Sequence, residues 1–352
     1  MRAVKSGAFP LYFLSRRFLN LGPGPMKSKV LLLSFGMPVA ILTTALAAAV
    51  AFEGPATPPP MPSITNPFKA VDFAGLPPLD NFNARDGARL AYRLYAPQTG
   101  QATGSVVLVH GSSASSSSMH VMAKAFAEAG YFAYALDIRG HGTSGQKGQI
   151  SYLGQLEDDL EDFVRSASPA KPSTLAGFSS GGGFVIRFAG SARQRLFQNY
   201  LFLSPFISQD SPTSRPNSGG WVSVGVPRII ALSILNGFGI RSFNDLPVMK
   251  FALDEESKAF LTPEYSFALA TNFRPQRDFV QNIKAIDQPC AVVVGSNDEA
   301  FYADRFADVF HSAGKIIPVT IVPEVGHIQL TLDPAAIAAA INAVAGLRPI
   351  GK

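Results

Sequence analysis

From Ser105 onward, apolar residues come in short continuous runs separated by stretches with helical spacing. Ser105-Val-Val-Leu-Val-His110, Phe132-Ala-Tyr-Ala-Leu-Asp137, Thr174-Leu-Ala-Gly-Phe178, Tyr200-Leu-Phe-Leu-Ser204, Cys290–Gly295 and Ile317–Val322 each read as a strand covered on both faces. Between them, Val121, Ala125, Phe126 and Ala129 mark a helix over His120–Gly130, closed by its glycine. Leu153, Leu156, Leu160, Phe163 and Val164 mark another over Tyr152–Ser166. Further helices are expected from Gly183, over Ala303–Ala313 and over Pro334–Ala345. Asp86–Tyr95 alternates apolar and polar instead, as a half-exposed antiparallel strand does, with Asp86-Gly87 as the preceding turn. Strands alternating with helices argue for the α/β class: a mostly parallel sheet with helices on both faces.

The rhythm breaks twice. Residues 205–286 are rich in Pro, Ser and Gly and hold the single tryptophan, Trp221, with apolar pieces such as Val226–Leu235. About eighty residues between two sheet strands are too long for a loop, so a helical cap is expected over the carboxyl edge of the sheet. At the other end, Val30–Phe52 is an uncharged run, preceded by Arg2, Lys5, Arg16, Arg17, Lys27 and Lys29 and followed by Glu53. At about 1.5 Å per residue such a helix spans a bilayer core, and the basic flank places its N-terminal side in the cytoplasm. The expectation is a single-helix membrane anchor with the folded domain outside the cytoplasm. The alternative is secretion after cleavage at Ala45-Leu-Ala47 or Ala49-Val-Ala51. Met26-Lys-Ser-Lys29 also forms a compact basic start of its own. The organisation read from these shifts is a leader and apolar segment over 1–53, a proline-rich linker over 54–70, a core in two parts over 71–204 and 287–352, and the cap over 205–286.

Charge changes little beyond this. The net charge of +5 lies in the leader: without its six basic residues, 24 basic residues face 25 acidic ones, which leaves −1. No nucleic-acid face is indicated. The lone Cys290 excludes an internal disulfide framework and, in its apolar strand, reads as a buried thiol. The five histidines have no metal-ligand spacing, so neither metal nor organic cofactor is expected. The acidic side of the Tyr152–Ser166 helix, Glu157, Asp158, Asp159, Glu161 and Asp162, reads as a solvated face.

Candidate chemistry centres on Gly177-Phe-Ser-Ser-Gly181, a G-x-S-x-G between a strand and a helix. In that setting the serine stands on a strained turn at the sheet edge, where the glycines leave room for close approach. A serine hydroxyl needs a base to take its proton and a third group to orient that base. Asp298 follows one later strand and His327 the next, in the order such a site requires. The oxyanion donors expected are the backbone N–H groups of Ser180 and of Ser112, in the serine-rich loop after His110-Gly111. His110, His141 and Asp137 are expected to orient loops, and His311 to lie on the surface. Glu299 and Asp304 are alternatives to Asp298.

Asp86-Gly87, His110-Gly111, Asp137-Ile-Arg-Gly-His-Gly-Thr-Ser144, Gly177–Gly181, Gly295-Ser-Asn-Asp298 and Gly326-His327 together resemble the α/β-hydrolase superfamily over about residues 80–347. Within it the chain looks like the monoacylglycerol lipase, lysophospholipase and serine aminopeptidase branch. The resemblance implies an α/β-hydrolase fold with a cap and a serine hydrolase of carboxylic esters, lipid-like acyl esters foremost. It maps the Ser–His–Asp triad onto Ser179, His327 and Asp298. An amidase or aminopeptidase on the same triad is the alternative, to which cap carboxylates such as Asp254, Glu255, Glu256 and Glu264 bear, and a non-catalytic binding protein is a third. Ser180 departs from the Met or Gln common after the nucleophile in that branch. The partners expected are a small-molecule or lipid ester substrate and, through the N-terminal segment, a membrane, with no nucleic acid and no obligate protein partner.

Overall fold

The computed structural model describes residues 25–61, 66–98, 102–216 and 220–347. Two compact units are separable, divided between Ala48 and Ala49. The first contributes most of a helix, Pro25–Phe52. Its side chains are described at Met37 and from Val39 on, and among the described residues no helix is long and apolar enough to cross a membrane. The expectation for Val30–Gly36 and Pro38 therefore lies outside them.

The second unit is built on an eight-stranded sheet. Its strands are β1 (Asp80–Asn83), β2 (Arg89–Tyr95), β3 (Gly104–Val109), β4 (Tyr131–Leu136), β5 (Ser173–Phe178), β6 (Asn199–Leu203), β10 (Cys290–Gly295) and β11 (Val319–Val322), in the order β1-β2-β4-β3-β5-β6-β10-β11. β2 runs antiparallel to β1 and β4, and the rest are parallel. β3, β5, β6 and β10 are buried throughout, which is why their sequences lack alternation. Two apolar layers cover the sheet: Phe163, Phe184, Phe188 and Phe202 lie on one face, and Met119, Phe126, Leu201 and Ile337 on the other. The mostly parallel sheet with helices on both sides is as expected. The strand β1, which pairs with β2 across the Asp86-Gly87 turn, was not; a four-residue edge strand with one buried side chain carries too little pattern to read.

Residues 205–286 carry the expected helices, such as Val226–Gly237 and Phe267–Asn272, and beside them a three-stranded antiparallel sheet that was not expected, from β7 (Val222–Val224), β8 (Pro247–Phe251) and β9 (Glu264–Ser266). Strands of three to five residues fall below the window in which period-two patterning is visible. The proline-rich segment also does not stand free. The Met61 N–H donates to Ala252 O at 2.8 Å, and Lys250 Nζ donates to Thr57 Oγ1 at 3.5 Å.

The acidic helix face is a correction too. Glu157, Asp159 and Asp162 are buried, paired with Arg187 at 2.5 Å, Arg139 at 2.6 Å and Arg85 at 3.0 Å respectively. The arginines that neutralise them sit far away in sequence, so helical periodicity alone could not reveal the pairing. Burial pushes the Asp159 carboxyl up to about 6, against the pull of Arg139. Cys290 is buried in β10 and its thiol is pushed up to about 12 by burial. His311 is exposed on the helix Phe306–Ser312.

Candidate active site

The turn that ends β5 holds Ser179 at φ 54°, ψ −120°, and the helix Ser180–Ala189 starts immediately after it. Left-handed backbone at a non-glycine residue is costly and persists only where the surroundings fix it. Here Ser179 N–H donates to Leu203 O at 2.9 Å, and Ser179 O accepts from Gly183 N–H at 3.0 Å and from Phe206 N–H at 2.9 Å. The flanking glycines are required by close approach. A Cβ on Gly181 would stand 2.3 Å from His110 O, and one on Gly177 would stand 2.4 Å from Gly181 O.

The loops after β10 and β11 bring two further residues to this turn. His327 Nε2 lies 3.0 Å from Ser179 Oγ, and His327 Nδ1 lies 2.8 Å from Asp298 Oδ2. All three side chains are buried. Asp298 Oδ1 accepts from the N–H groups of Ala300 and Phe301 at 2.9 and 2.8 Å. Burial alone would raise the Asp298 carboxyl, but the His327 ring and these hydrogen bonds hold it below the usual carboxylate range. An ionised Asp298 therefore fixes Nδ1 as the protonated nitrogen of His327 and leaves Nε2 free to accept the serine proton. The imidazole is held between the rings of Phe178 and Phe301, with centroids at 4.8 and 5.2 Å.

Of the alternatives to Asp298, Glu299 has a different place. Its carboxylate accepts the backbone N–H of His327 at 2.8 Å and so holds the loop that carries the imidazole. Asp304 pairs with neighbouring Arg305 at 3.6 Å and does not approach the histidine ring.

Ser112 and Ser180 meet across the nucleophile turn, with their hydroxyls 2.5 Å apart. The loop carrying Ser112 is held from the cap. Ser113, at φ 65°, donates its N–H to Tyr265 Oη at 2.6 Å and its hydroxyl to Thr262 O at 2.6 Å, and its carbonyl accepts from Thr262 N–H at 2.8 Å. Tyr265 Oη in turn lies 2.5 Å from His141 Nε2, while His141 Nδ1 faces the carbonyls of Ile138 and Arg139. That pattern protonates Nδ1, so the tyrosine hydroxyl donates to Nε2. His110 has the same tautomer: Nδ1 faces Gly111 O at 2.8 Å and Nε2 accepts from Ile138 N–H at 3.3 Å. Burial lowers both histidines, His141 well below the ordinary 6.5, and both are neutral. Asp137 joins the two loops by accepting the N–H groups of Ser116 at 2.7 Å and Thr143 at 3.0 Å.

Tyr265 carries no signal in the sequence, being a lone aromatic 152 positions from the backbone it holds. Glu299 had one, its position beside Asp298.

A cleft of about 560 Å³ opens over Ser179 and His327. Phe68, Phe73, Leu76, Trp221, Phe260 and Ile328 supply apolar wall, while Ser115, Ser117, Ser118, Lys69, Asp254 and Glu256 supply polar wall. Among the described residues no cluster of His, Cys, Asp and Glu could hold a metal ion.

An open sheet of this strand order, with a strained serine between β5 and its helix facing histidine and aspartate from later loops, defines the α/β-hydrolase superfamily. Residues 100–331 match the model of the serine aminopeptidase family S33, and the chain belongs to that family. A monoacylglycerol lipase of Mycolicibacterium smegmatis is 38% identical over 119 residues, which are 32% of this chain and 41% of that protein. The match thus spans about two fifths of the relative's length. Among solved structures, a soluble variant of monoglyceride lipase from Saccharomyces cerevisiae, in complex with a substrate analog, superposes with a TM-score of 0.57 at 20% identity, covering 76% of this chain and 94% of that one. An esterase from Rhodococcus sp. ECU1013 gives 0.53 at 19%, covering 77% and 99%. A membrane phospholipase A gives 0.55 at 17%, covering 90% of this chain and 98% of that one. At these identities the structures establish the fold.

Proposed function

We propose that the chain hydrolyses carboxylic esters of single-chain lipids, monoacylglycerols or lysophospholipids, through a covalent acyl-enzyme on Ser179. The observation that carries this reading is the Ser179–His327–Asp298 hydrogen-bond chain at the floor of a cleft of about 560 Å³ with extensive apolar wall. His327 Nε2 takes the proton of Ser179 Oγ as the oxygen attacks the ester carbonyl. The negative oxygen that forms is met by the N–H groups of Ser112 and Ser180, the latter at a helix N-terminus whose dipole favours negative charge. The protonated imidazole then gives its proton to the leaving alcohol, and the acyl group remains on Oγ. Water enters, loses a proton to Nε2 and attacks the acyl carbonyl. The acid leaves as Oγ recovers its proton. Asp298 stays ionised throughout and stabilises the imidazolium.

The M. smegmatis monoacylglycerol lipase and the yeast monoglyceride lipase support the lipid substrate by analogy. The test is hydrolysis of monoacylglycerol, lysophosphatidylcholine and p-nitrophenyl esters by the wild type and by Ser179→Ala. We expect turnover in the wild type only. Activity retained without the Ser179 hydroxyl contradicts the assignment.

A second reading has an observation of its own. Asp254 and Glu256, exposed at the cleft, are placed to hold a substrate amine, which an aminopeptidase on the same triad requires. Aminoacyl p-nitroanilides cleaved faster than the esters, with loss in Asp254→Asn or Glu256→Gln, would favour it.

We further propose that the leader, with its basic flank and the uncharged run Val30–Phe52, tethers the enzyme to a membrane with the second unit outside the cytoplasm. The helix Pro25–Phe52 supports this reading, and Val39, Ile41 and Leu42 on it are exposed. Carbonate-resistant sedimentation with membranes tests it. Release into the soluble fraction at full length contradicts it.

A further inference from the structure

The cap carries an apolar surface that is exposed among the described residues of the second unit. From Trp221 to Phe243 the chain contains no acid, and its only charges are Arg228 and Arg241. The helix Val226–Gly237 buries Arg228, Ala231 and Leu232 against the cap. A helix facing water should be polar on its other side. Here that side presents Val226, Ile230 and Ile234, four residues apart and all exposed, and the surface continues through Phe238, 80% exposed, to Phe243. Apolar patches of this kind mark interaction sites.

The surrounding chain indicates the occupant. The uncharged run that begins at Val30 ends at Phe52, and its last turn is fastened to the cap helix. Ala51 O accepts from Arg228 Nη2 at 3.1 Å, and a Cβ on Gly225 would stand 2.9 Å from Glu53 O. Phe52 itself is 83% exposed. The exposed Arg241 beside the patch fits anionic headgroups.

We infer that the Val226–Phe243 face of the cap rests in the surface of a lipid bilayer, its apolar side chains at the acyl–headgroup boundary and Arg241 among anionic headgroups. This contact is separate from the leader tether and deepens the lipid-ester reading by bringing the enzyme onto the phase that holds its substrate. One of its two readouts needs no catalysis, so failure of this inference and failure of that reading are distinguishable.

The full chain carrying Trp221→Phe and Phe238→Trp has its one tryptophan on the face. Added vesicles of phosphatidylcholine and phosphatidylglycerol should shift its emission to the blue, and brominated acyl chains should quench it. Ile230→Glu with Ile234→Glu in that background should abolish both effects, and Ile230→Ser with Ile234→Ser should weaken them. In the otherwise native chain the glutamate pair should slow hydrolysis of vesicle-held monoacylglycerol by roughly tenfold, while hydrolysis of soluble p-nitrophenyl acetate stays within about twofold and reports an intact fold. Unshifted, unquenched emission from the chain carrying Phe238→Trp overturns the inference whether or not the enzyme turns over. Conversion of a dimer to a monomer by the glutamate pair also overturns it, because the face would then belong to a second copy.

Discussion

The carboxyl edge of the sheet and the cap above it follow different rules. At the edge, each functional residue follows a strand of the sheet and is held locally: Ser179 by its turn, Asp298 by a loop entered through Gly295, where a Cβ would stand 2.1 Å from Val325 O, and His327 by its backbone N–H bond to Glu299. The cap is made of short strands and helices, one of them apolar on both sides, and touches the site through the Tyr265 side chain and the Thr262 backbone. Its Thr262 and Tyr265 hold the Ser113 backbone and so fix where the Ser112 N–H lies. In the proposed mechanism the edge supplies reactivity, and the cap supplies the position of the loop carrying Ser112 and the walls of the cleft. Substitutions at the edge should therefore act on chemistry or folding as a whole, and substitutions in the cap should act by degrees.

The largest effect expected is at the orienting carboxylate. Asp298→Asn leaves the shape intact but removes the charge that selects the His327 tautomer, and should lower kcat by about 10⁴-fold with a near-normal melting temperature. A loss under tenfold would mean that another group, Glu299 first, does this work. Next is Gly181→Ala, whose methyl group would meet His110 O at 2.3 Å and Val109 O at 2.7 Å, both backbone. It should destabilise the protein by several kcal/mol, about 3 or more, measured by urea denaturation. A melting curve that does not move would refute the close approach of the helix to β3.

Acid should separate the two regions further. His110 and His141 are buried neutral, so below about pH 6.5 these two sites bind more protons in the unfolded chain than in the folded one, while Asp159, whose folded carboxyl is raised to about 6, takes up its proton in the folded chain first and offsets part of this. The pair outweighs the single carboxyl, so stability falls as pH drops below about 6.5, each histidine held neutral contributing up to about 1.4 kcal/mol per unit and Asp159 opposing them. Asp298 contributes in the same direction at lower pH, because its folded carboxyl is depressed and its contribution is lost as it protonates. A flat stability profile between pH 6.5 and 5 would contradict the buried pair.

The smallest effect sharpens the comparison most. Tyr265→Phe leaves the Ser113 N–H and His141 Nε2 without partners, at a cost of about 1–3 kcal/mol. Because the freed loop carries the Ser112 donor, kcat should fall about tenfold while KM changes little. A change in stability alone would make Tyr265 structural only.

What could be read from the sequence divides along the same line. Buried parallel strands announce themselves as uninterrupted apolar runs, so the sheet, its order of residues at the edge and the family resemblance were accessible from Val106–Val109, Leu175–Phe178 and Val292–Gly295. The serine turn is local, and the hydrogen-bonding reach of Asp298 and His327 follows from strand order. The cap's sheet was not legible, since β7 and β9 have three residues each and pair over long separations. Nor was the partnership of Glu157, Asp159 and Asp162 with Arg187, Arg139 and Arg85, which depends on tertiary placement. Tyr265 failed to show for the same reason. Its role exists only once the cap has folded over Ser113.

The most direct test of a nucleophile at Ser179 activated by His327 is fluorophosphonate labelling of the full-length protein, with the modified peptide identified by mass spectrometry, for the wild type, Ser179→Ala and His327→Ala. We predict rapid labelling of the wild type at Ser179, none in Ser179→Ala and severely slowed labelling in His327→Ala. Labelling at another serine, or equal rates with and without the His327 imidazole, would contradict that assignment.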